Sequence, residues 1–158
     1  MEMRRKDLAV TEPERIDAII DRSDCIRLAF ADGKHPYIVP VNFGFEHKEG
    51  VRKFYFHSAA AGRKVNLCRS LGYAGFELDV ERRLKPNEKA CDFSMRYQCV
   101  IGDGTIEELT TPAEKTAALA VIMRQLTGRG DWTFPEGVLA RTCVFCLTVT
   151  EISGREHG

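Results

Sequence analysis

The sequence predicts a mainly β, α+β fold: a small antiparallel barrel of about six strands with two to three helices packed outside it. Three observations support this. Runs of alternating apolar and polar residues recur through the chain, short turn signals join most of them, and two segments switch to helical spacing behind proline-containing starts. A chain of 158 residues suits a single domain over residues 1–158, with enough length for one real core.

The first helix is expected after Thr11, which reads as an N-cap, with Pro13 in the first turn and Glu14 completing a capping box. Ile16, Ile19 and Ile20 give it one apolar face. In Cys25–Ala31, Ile26, Leu28 and Phe30 alternate with Arg27, Ala29 and Ala31, and the strand meets the hairpin signal Asp32-Gly33. The returning strand, Tyr37–Glu46, puts Tyr37, Val39, Val41, Phe43 and Phe45 on one side. Pro40, Asn42 and Gly44 make the other side low and open, and Pro40 marks an edge or a bulge. Such a strand offers a flat shelf with backbone N–H groups free for a planar ligand.

The strand Val51–His57 then runs into a helix lasting to about Ser70, and this junction is chemically the richest part of the chain. His57, Ser58, Gly62, Arg63 and Lys64 supply an imidazole, a hydroxyl, a permissive backbone position and two cations at a helix start. Free N–H groups and the positive end of the dipole suit a phosphate there. No GxxxxGK[ST] or GxGxxG fingerprint accompanies it.

Tyr73–Val80 reads as a strand, and Glu81–Phe93, charged and holding Pro86, as a loop. Ser94–Leu109 reads as a long strand whose Gly102-Asp103-Gly104 suits a sharp barrel bend. Met95, Tyr97, Cys99 and Ile101 share one of its faces, and Arg96 and Gln98 the other. Thr111-Pro112-Ala113-Glu114 is a second capping box, opening a helix to about Leu126. A loop with the single tryptophan, Trp132, leads to the last strand, Thr142–Ile152, and a short polar tail, Ser153–Gly158.

Composition narrows function further. Lys+Arg and Asp+Glu are both 23, which argues against a nucleic-acid partner. The longest apolar runs fall far short of the roughly 20 residues of a membrane span, so a cytoplasmic protein with no membrane partner is expected. Of the six cysteines only Cys143 and Cys146 have metal-like spacing. Three apart on a strand, they face opposite ways and cannot chelate one ion, so reduced buried thiols are expected and no metal.

Taken in order, the blocks Arg27-Leu-Ala-Phe, Pro36-Tyr-Ile-Val-Pro-Val-Asn-Phe-Gly, Phe54-Tyr-Phe-His-Ser-Ala through Gly62-Arg-Lys, Phe76-Glu-Leu-Asp and Met95-Arg-Tyr-Gln-Cys-Val-Ile-Gly-Asp-Gly-Thr carry a resemblance. From about Arg4 to the tail, the chain resembles the pyridoxamine 5′-phosphate oxidase-like flavoproteins, and within them most closely the nitroimidazole-resistance group. The resemblance implies a six-stranded antiparallel split β-barrel, a homodimer, and FMN in a groove shared by two subunits. It sets Val39, Pro40, Val41 and Asn42 against the flavin ring and His57, Ser58, Gly62, Arg63 and Lys64 at the ribityl phosphate. Gln98 and Cys99 would flank the flavin, and Trp132, with Arg155, would approach from the partner subunit. Cys99 stands where close relatives carry a serine, and Ser70-Leu71-Gly72-Tyr73 lacks the Asn-Pro turn usual after this helix.

The activity implied is NAD(P)H-dependent reduction of a small organic acceptor such as a nitroaromatic, with His57 orienting the phosphate or donating a proton. The alternatives are a flavin-binding or storage protein without turnover, and a haem-binding split-barrel protein with His157 as axial ligand. True pyridoxamine phosphate oxidation is disfavoured, because no segment for that substrate is identified.

Overall fold

The computed structural model describes residues 5–158; Met1 to Arg4, where the resemblance begins, lie outside the described residues. In chain order it contains β1 (Ala9–Val10), α1 (Pro13–Asp21), β2 (Ile26–Asp32), β3 (His35–Val41), β4 (Gly44–Lys48), β5 (Val51–Ala59), α2 (Arg63–Leu71), β6 (Tyr73–Lys85), β7 (Ser94–Leu109), α3 (Pro112–Thr127), α4 (Glu136–Arg141) and β8 (Thr142–His157). The strands form one antiparallel sheet in the order β3-β2-β6-β7-β8-β5-β4, with β1 added to β8. It curls around a core without closing, so β3 and β4 are its two edges. This is a split barrel.

Alternation produces the core. Ile26, Leu28 and Phe30 of β2, Phe54 and Phe56 of β5, Phe76 and Leu78 of β6 and Phe145 and Leu147 of β8 all point inward and are buried with Ile16, Ile19 and Ile20 of α1. Phe54 packs against Phe43 and Phe76 at ring-centroid distances of 5.5 and 5.0 Å. On the other face of β5 and β8, Val144 packs with Ala118, Leu119 and Ile122 of α3 and Leu139 of α4. Cys143 joins the inner core while Cys146 lies on the α3 face, as their spacing on a strand requires. All six thiols are free, and the described residues contain no His/Cys/Asp/Glu cluster able to hold a metal.

The structure corrects four local expectations. The strand expected at Tyr37–Glu46 is two strands: the chain pairs with β2 up to Val41, passes Asn42 and Phe43, and begins pairing with β5 at Gly44. Glu12, not Thr11, is the N-cap of α1, and no side chain caps it. Residues Glu81–Lys85, expected in a loop, continue β6: Glu81 and Arg82 form a bulge, and Arg83, Leu84 and Lys85 pair with Arg96, Met95 and Ser94. The polar tail is strand: Gly154 and Arg155 pair with both β1 and β7, and His157 with Tyr97.

The second capping box forms as expected, with Thr111 Oγ1 accepting from Glu114 N at 3.2 Å and Glu114 Oε2 accepting from Thr111 N at 3.0 Å. The β7–β8 register shifts at Asp103/Gly104, the bend expected there. Among the described residues, no helix is long and apolar enough to cross a membrane.

Candidate functional site

The junction between β5 and α2 lies at the opening of the barrel. β4 pairs with β5 only as far as Tyr55, so residues 56–59 keep β8 on one side and have a free edge on the other. β3 pairs only with β2 and is the opposite edge. Gly62, at φ 135°, holds a conformation open to glycine, and turns the chain from β5 into α2. No side chain caps α2, so the N–H groups of its first turn are left for solvent or a ligand.

At this helix start the structure places Gly62, Arg63 and Lys64, with Ser58 upstream near the end of β5. Lys64 Nζ donates to the carbonyl of His57 at 3.2 Å. Burial lowers the Lys64 pKa from its ordinary value, so a nearby anion would stabilise its charged form. Arg63 donates from Nε to Asp32 Oδ2 at 2.9 Å, and its guanidinium lies 4.6 Å over the Tyr37 ring. These two contacts dock the first turn of α2 onto the β2–β3 hairpin. Asp32 and Tyr37 were not among the sequence-derived site residues. Asp32-Gly33 reads as a turn, and nothing local signals a partner 31 residues away.

His57 and Ser58 are not brought together. Successive residues of β5 alternate, so Ser58 pairs with Cys143 on the core-facing side and His57 with Val144 on the α3-facing side. Desolvation and the Lys64 charge both push the His57 pKa below its ordinary value, so the ring is neutral near pH 7. What meets Lys64 is the His57 carbonyl, not the ring.

The β3 edge is narrower in donors than the sequence reading allowed. With two residues, Gly33 and Lys34, between the paired residues Asp32 and His35, hydrogen-bonded pairing puts the N–H groups of Val39 and Val41 toward β2. Pro36 and Pro40 fall at outward positions and have no N–H, which is why a strand can carry them. Ile38 is therefore the outward donor of the strand, with Asn42 just past its end; the Asn42 side chain donates to the Asp24 carbonyl at 3.0 Å. Tyr37, Val39 and Val41 pack on the core, and Ile38 is 62% exposed on the other face.

Gln98 and Cys99 are on β7, separated from β3 by β2 and β6, roughly 14 Å away at the usual strand spacing. Gln98 accepts from Arg22. Cys99 lines a cavity of about 460 Å³ with Arg27, Glu77, Asp79 and Tyr97. Burial and the Glu77 carboxylate push its thiol upward in pKa, keeping it a weak neutral donor. Arg155 pairs with Cys99 and lies 5.6 Å over the Tyr97 ring. Trp132 is held by its own loop, Nε1 donating to the Arg129 carbonyl at 3.1 Å, and the structure does not place it with the β5–α2 residues.

Comparison with known proteins agrees with this architecture. The family model described as pyridoxamine 5′-phosphate oxidase matches residues 12–156. The chain belongs to that family. Among solved structures, it is similar to a candidate 5-nitroimidazole antibiotic resistance protein from Bacteroides thetaiotaomicron, at 25% identity over 94% of this chain and 86% of that one, TM-score 0.81. It shares its fold with the flavocytochrome Anf3 from Azotobacter vinelandii (21% identity, 99% and 72% coverage, TM-score 0.83). The same holds for a FAD- and haem-binding protein from Mycobacterium smegmatis (21%, 95% and 74%, TM-score 0.79). No curated protein matches the sequence significantly.

Proposed function

We propose that this protein is an FMN-binding oxidoreductase that uses NAD(P)H to reduce a small organic acceptor such as a nitroaromatic. The observation that carries the reading is the uncapped start of α2, with Arg63 and Lys64 in its first turn and Ser58 upstream on β5, beside the free edge of β3. Its chemistry fits a phosphate monoester. Backbone N–H groups and a hydroxyl donate hydrogen bonds, and two side chains add positive charge. The β3 edge, with Val39, Pro40, Val41 and Asn42, would seat the ring of the same molecule. The similarity to a candidate nitroimidazole resistance protein supports the class of acceptor.

When bound, the flavin supplies transfer of two electrons from a reduced nicotinamide to the acceptor. Arg63 and Lys64 anchor the phosphate, and the His57 carbonyl holds Lys64 in place. Ile38 and Asn42 present N–H groups at the shelf edge. The neutral, outward-turned His57 ring is not assigned the role of proton donor.

A homodimer belongs to the same proposal. Ile38, Met95 and Ile101 are 62%, 40% and 42% exposed on the outer face of the sheet, beside Arg27, Glu77 and Asp79. A two-fold partner would cover this apolar face and meet both charges.

The deciding experiment is an absorbance spectrum of the protein with FMN and then NADPH under anaerobic conditions. Protein-bound flavin bands that bleach, followed by reoxidation with a nitroimidazole, are expected. Bands that persist would mean binding without turnover, and no FMN binding would overturn the reading.

One observation favours a second ligand. His157 Nδ1 lies 2.8 Å from the Met95 carbonyl, which can only accept, so Nδ1 is the donor of that contact and Nε2 is the ring nitrogen left over for a ligand. Two proteins of this fold are described as a flavocytochrome and as FAD- and haem-binding. A Soret band on adding haemin, lost in His157→Ala, would support haem; its absence excludes it.

A further inference from the structure

The contacts that hold Arg63 do more than the fold requires. Its Nε and Nη2 both reach Asp32 Oδ2, at 2.9 and 2.7 Å, and its guanidinium carbon lies 4.6 Å from the centre of the Tyr37 ring. Asp32 closes β2 and Tyr37 stands on β3, so the two groups come from the facing strands of one hairpin. The Tyr37 ring is itself steadied against the core, its centroid 6.2 Å from that of Phe30. An ion pair as exposed as Asp32–Arg63 adds little to stability, so stability does not account for a guanidinium fixed from two sides.

The arrangement leaves one donor over. No hydrogen bond or ion pair is found for Arg63 Nη1 among the described residues, and its N–H groups remain to donate. Asp32 does not serve to add charge, because a carboxylate beside an anion site subtracts from the positive charge that Arg63 and Lys64 supply. What it adds is direction. An unrestrained arginine side chain loses rotamer freedom when it grips a ligand, and one already held in the folded protein loses less. The opposing repulsion between Asp32 and a bound phosphate acts between solvent-exposed charges, where salt screens it.

We propose that Asp32 and Tyr37 are positioning residues of the phosphate site: they fix the Arg63 guanidinium, leave Nη1 for the ligand, and so set the preference for phosphorylated over unphosphorylated flavin. This inference rests on the flavin reading given above. It assigns the selectivity of that site to two side chains on the β2–β3 hairpin that act through Arg63.

The readout is the ratio of the riboflavin to the FMN dissociation constant, taken by fluorescence titration of the full chain at about 0.15 M salt. Riboflavin has the same ring and lacks the phosphate, so damage to the fold or to the shelf moves both constants and leaves their ratio. Asp32→Asn removes the charge and keeps a favourable Asn-Gly turn before Gly33, whose φ is 61°. It should cut the ratio about three- to ten-fold. Tyr37→Leu should cut it about three-fold, and Tyr37→Phe, which keeps the ring face, should retain it. In an Arg63→Ala background Asp32→Asn should have almost no effect, since its action passes through Arg63. A parent protein that binds FMN no more tightly than riboflavin overturns the phosphate site and this inference with it. Where the parent prefers FMN, an unchanged or raised ratio in Asp32→Asn overturns the positioning role alone, as does an equal effect of that substitution in the Arg63→Ala background.

Discussion

Arg63 meets Asp32 across the mouth of the barrel, its Nε donating to Oδ2 at 2.9 Å, and this contact joins α2 to the β2–β3 hairpin. The pair is half exposed, at 51% and 39% of the side chains, so for stability it is worth at most about 1 kcal/mol. Its consequence is positional. Arg63→Ala should lower FMN affinity about 10- to 100-fold while leaving riboflavin, which lacks the phosphate, nearly unchanged. Flavin fluorescence titrations of both ligands check this; equal losses for the two would remove Arg63 from the phosphate site.

Because desolvation and Lys64 depress the His57 pKa in the folded state, the unfolded chain binds that proton more readily. Between the folded value and the ordinary value of about 6.5 the unfolded state therefore holds more protons, and stability falls as pH drops. Above about pH 7 this contribution is fully present. The urea midpoint should decline from pH 7.5 to 5.5, and less steeply in His57→Gln. Parallel slopes for the two proteins would refute the assignment.

Gly44→Ala places a methyl group against the main chain of α3, which no rotamer change can relieve. Overpacking of this kind costs about 1–3 kcal/mol. Urea denaturation should show a lower midpoint with an unchanged slope, whereas Gly137→Ala, at a position with open space, should show no packing loss.

The two threonine helix starts differ in a way denaturation can read. Thr111→Ala removes a side-chain cap from α3 and should cost about 1 kcal/mol. Thr11→Ala removes nothing from α1, whose N-cap is Glu12, and should lie within about 0.5 kcal/mol of the parent. Equal effects would mean that the α1 cap forms in solution.

Much of the fold was legible because its signals are local. The alternation of Ile26, Leu28 and Phe30 marks a half-buried strand, and all three are buried. The Thr111 capping box needs only four residues to be recognised. The break between β3 and β4 was hidden for the same reason. Tyr37, Val39, Val41, Phe43 and Phe45 alternate without interruption while the chain leaves one edge of the sheet and starts the other. α4, at six residues, is too short to display a helical period. The strand nature of Arg155–His157 could not be read from their polarity, because pairing with β7 and not burial makes them strand.

By itself the sequence determined the alternation that marks most of the strands, the capping box that opens α3, which faces turn inward, and that Gly62, Arg63 and Lys64 sit at one helix start shortly after Ser58. Those are consequences of backbone hydrogen bonding and side-chain period over a few residues. Only the tertiary structure decided that Asp32 and Tyr37 hold Arg63, that the His57 ring turns away from Ser58, and that two strands separate Gln98 and Cys99 from the shelf. Each of these depends on which strands pair and in what register. That choice is made by long-range burial of the whole core, which no short stretch of chain encodes alone.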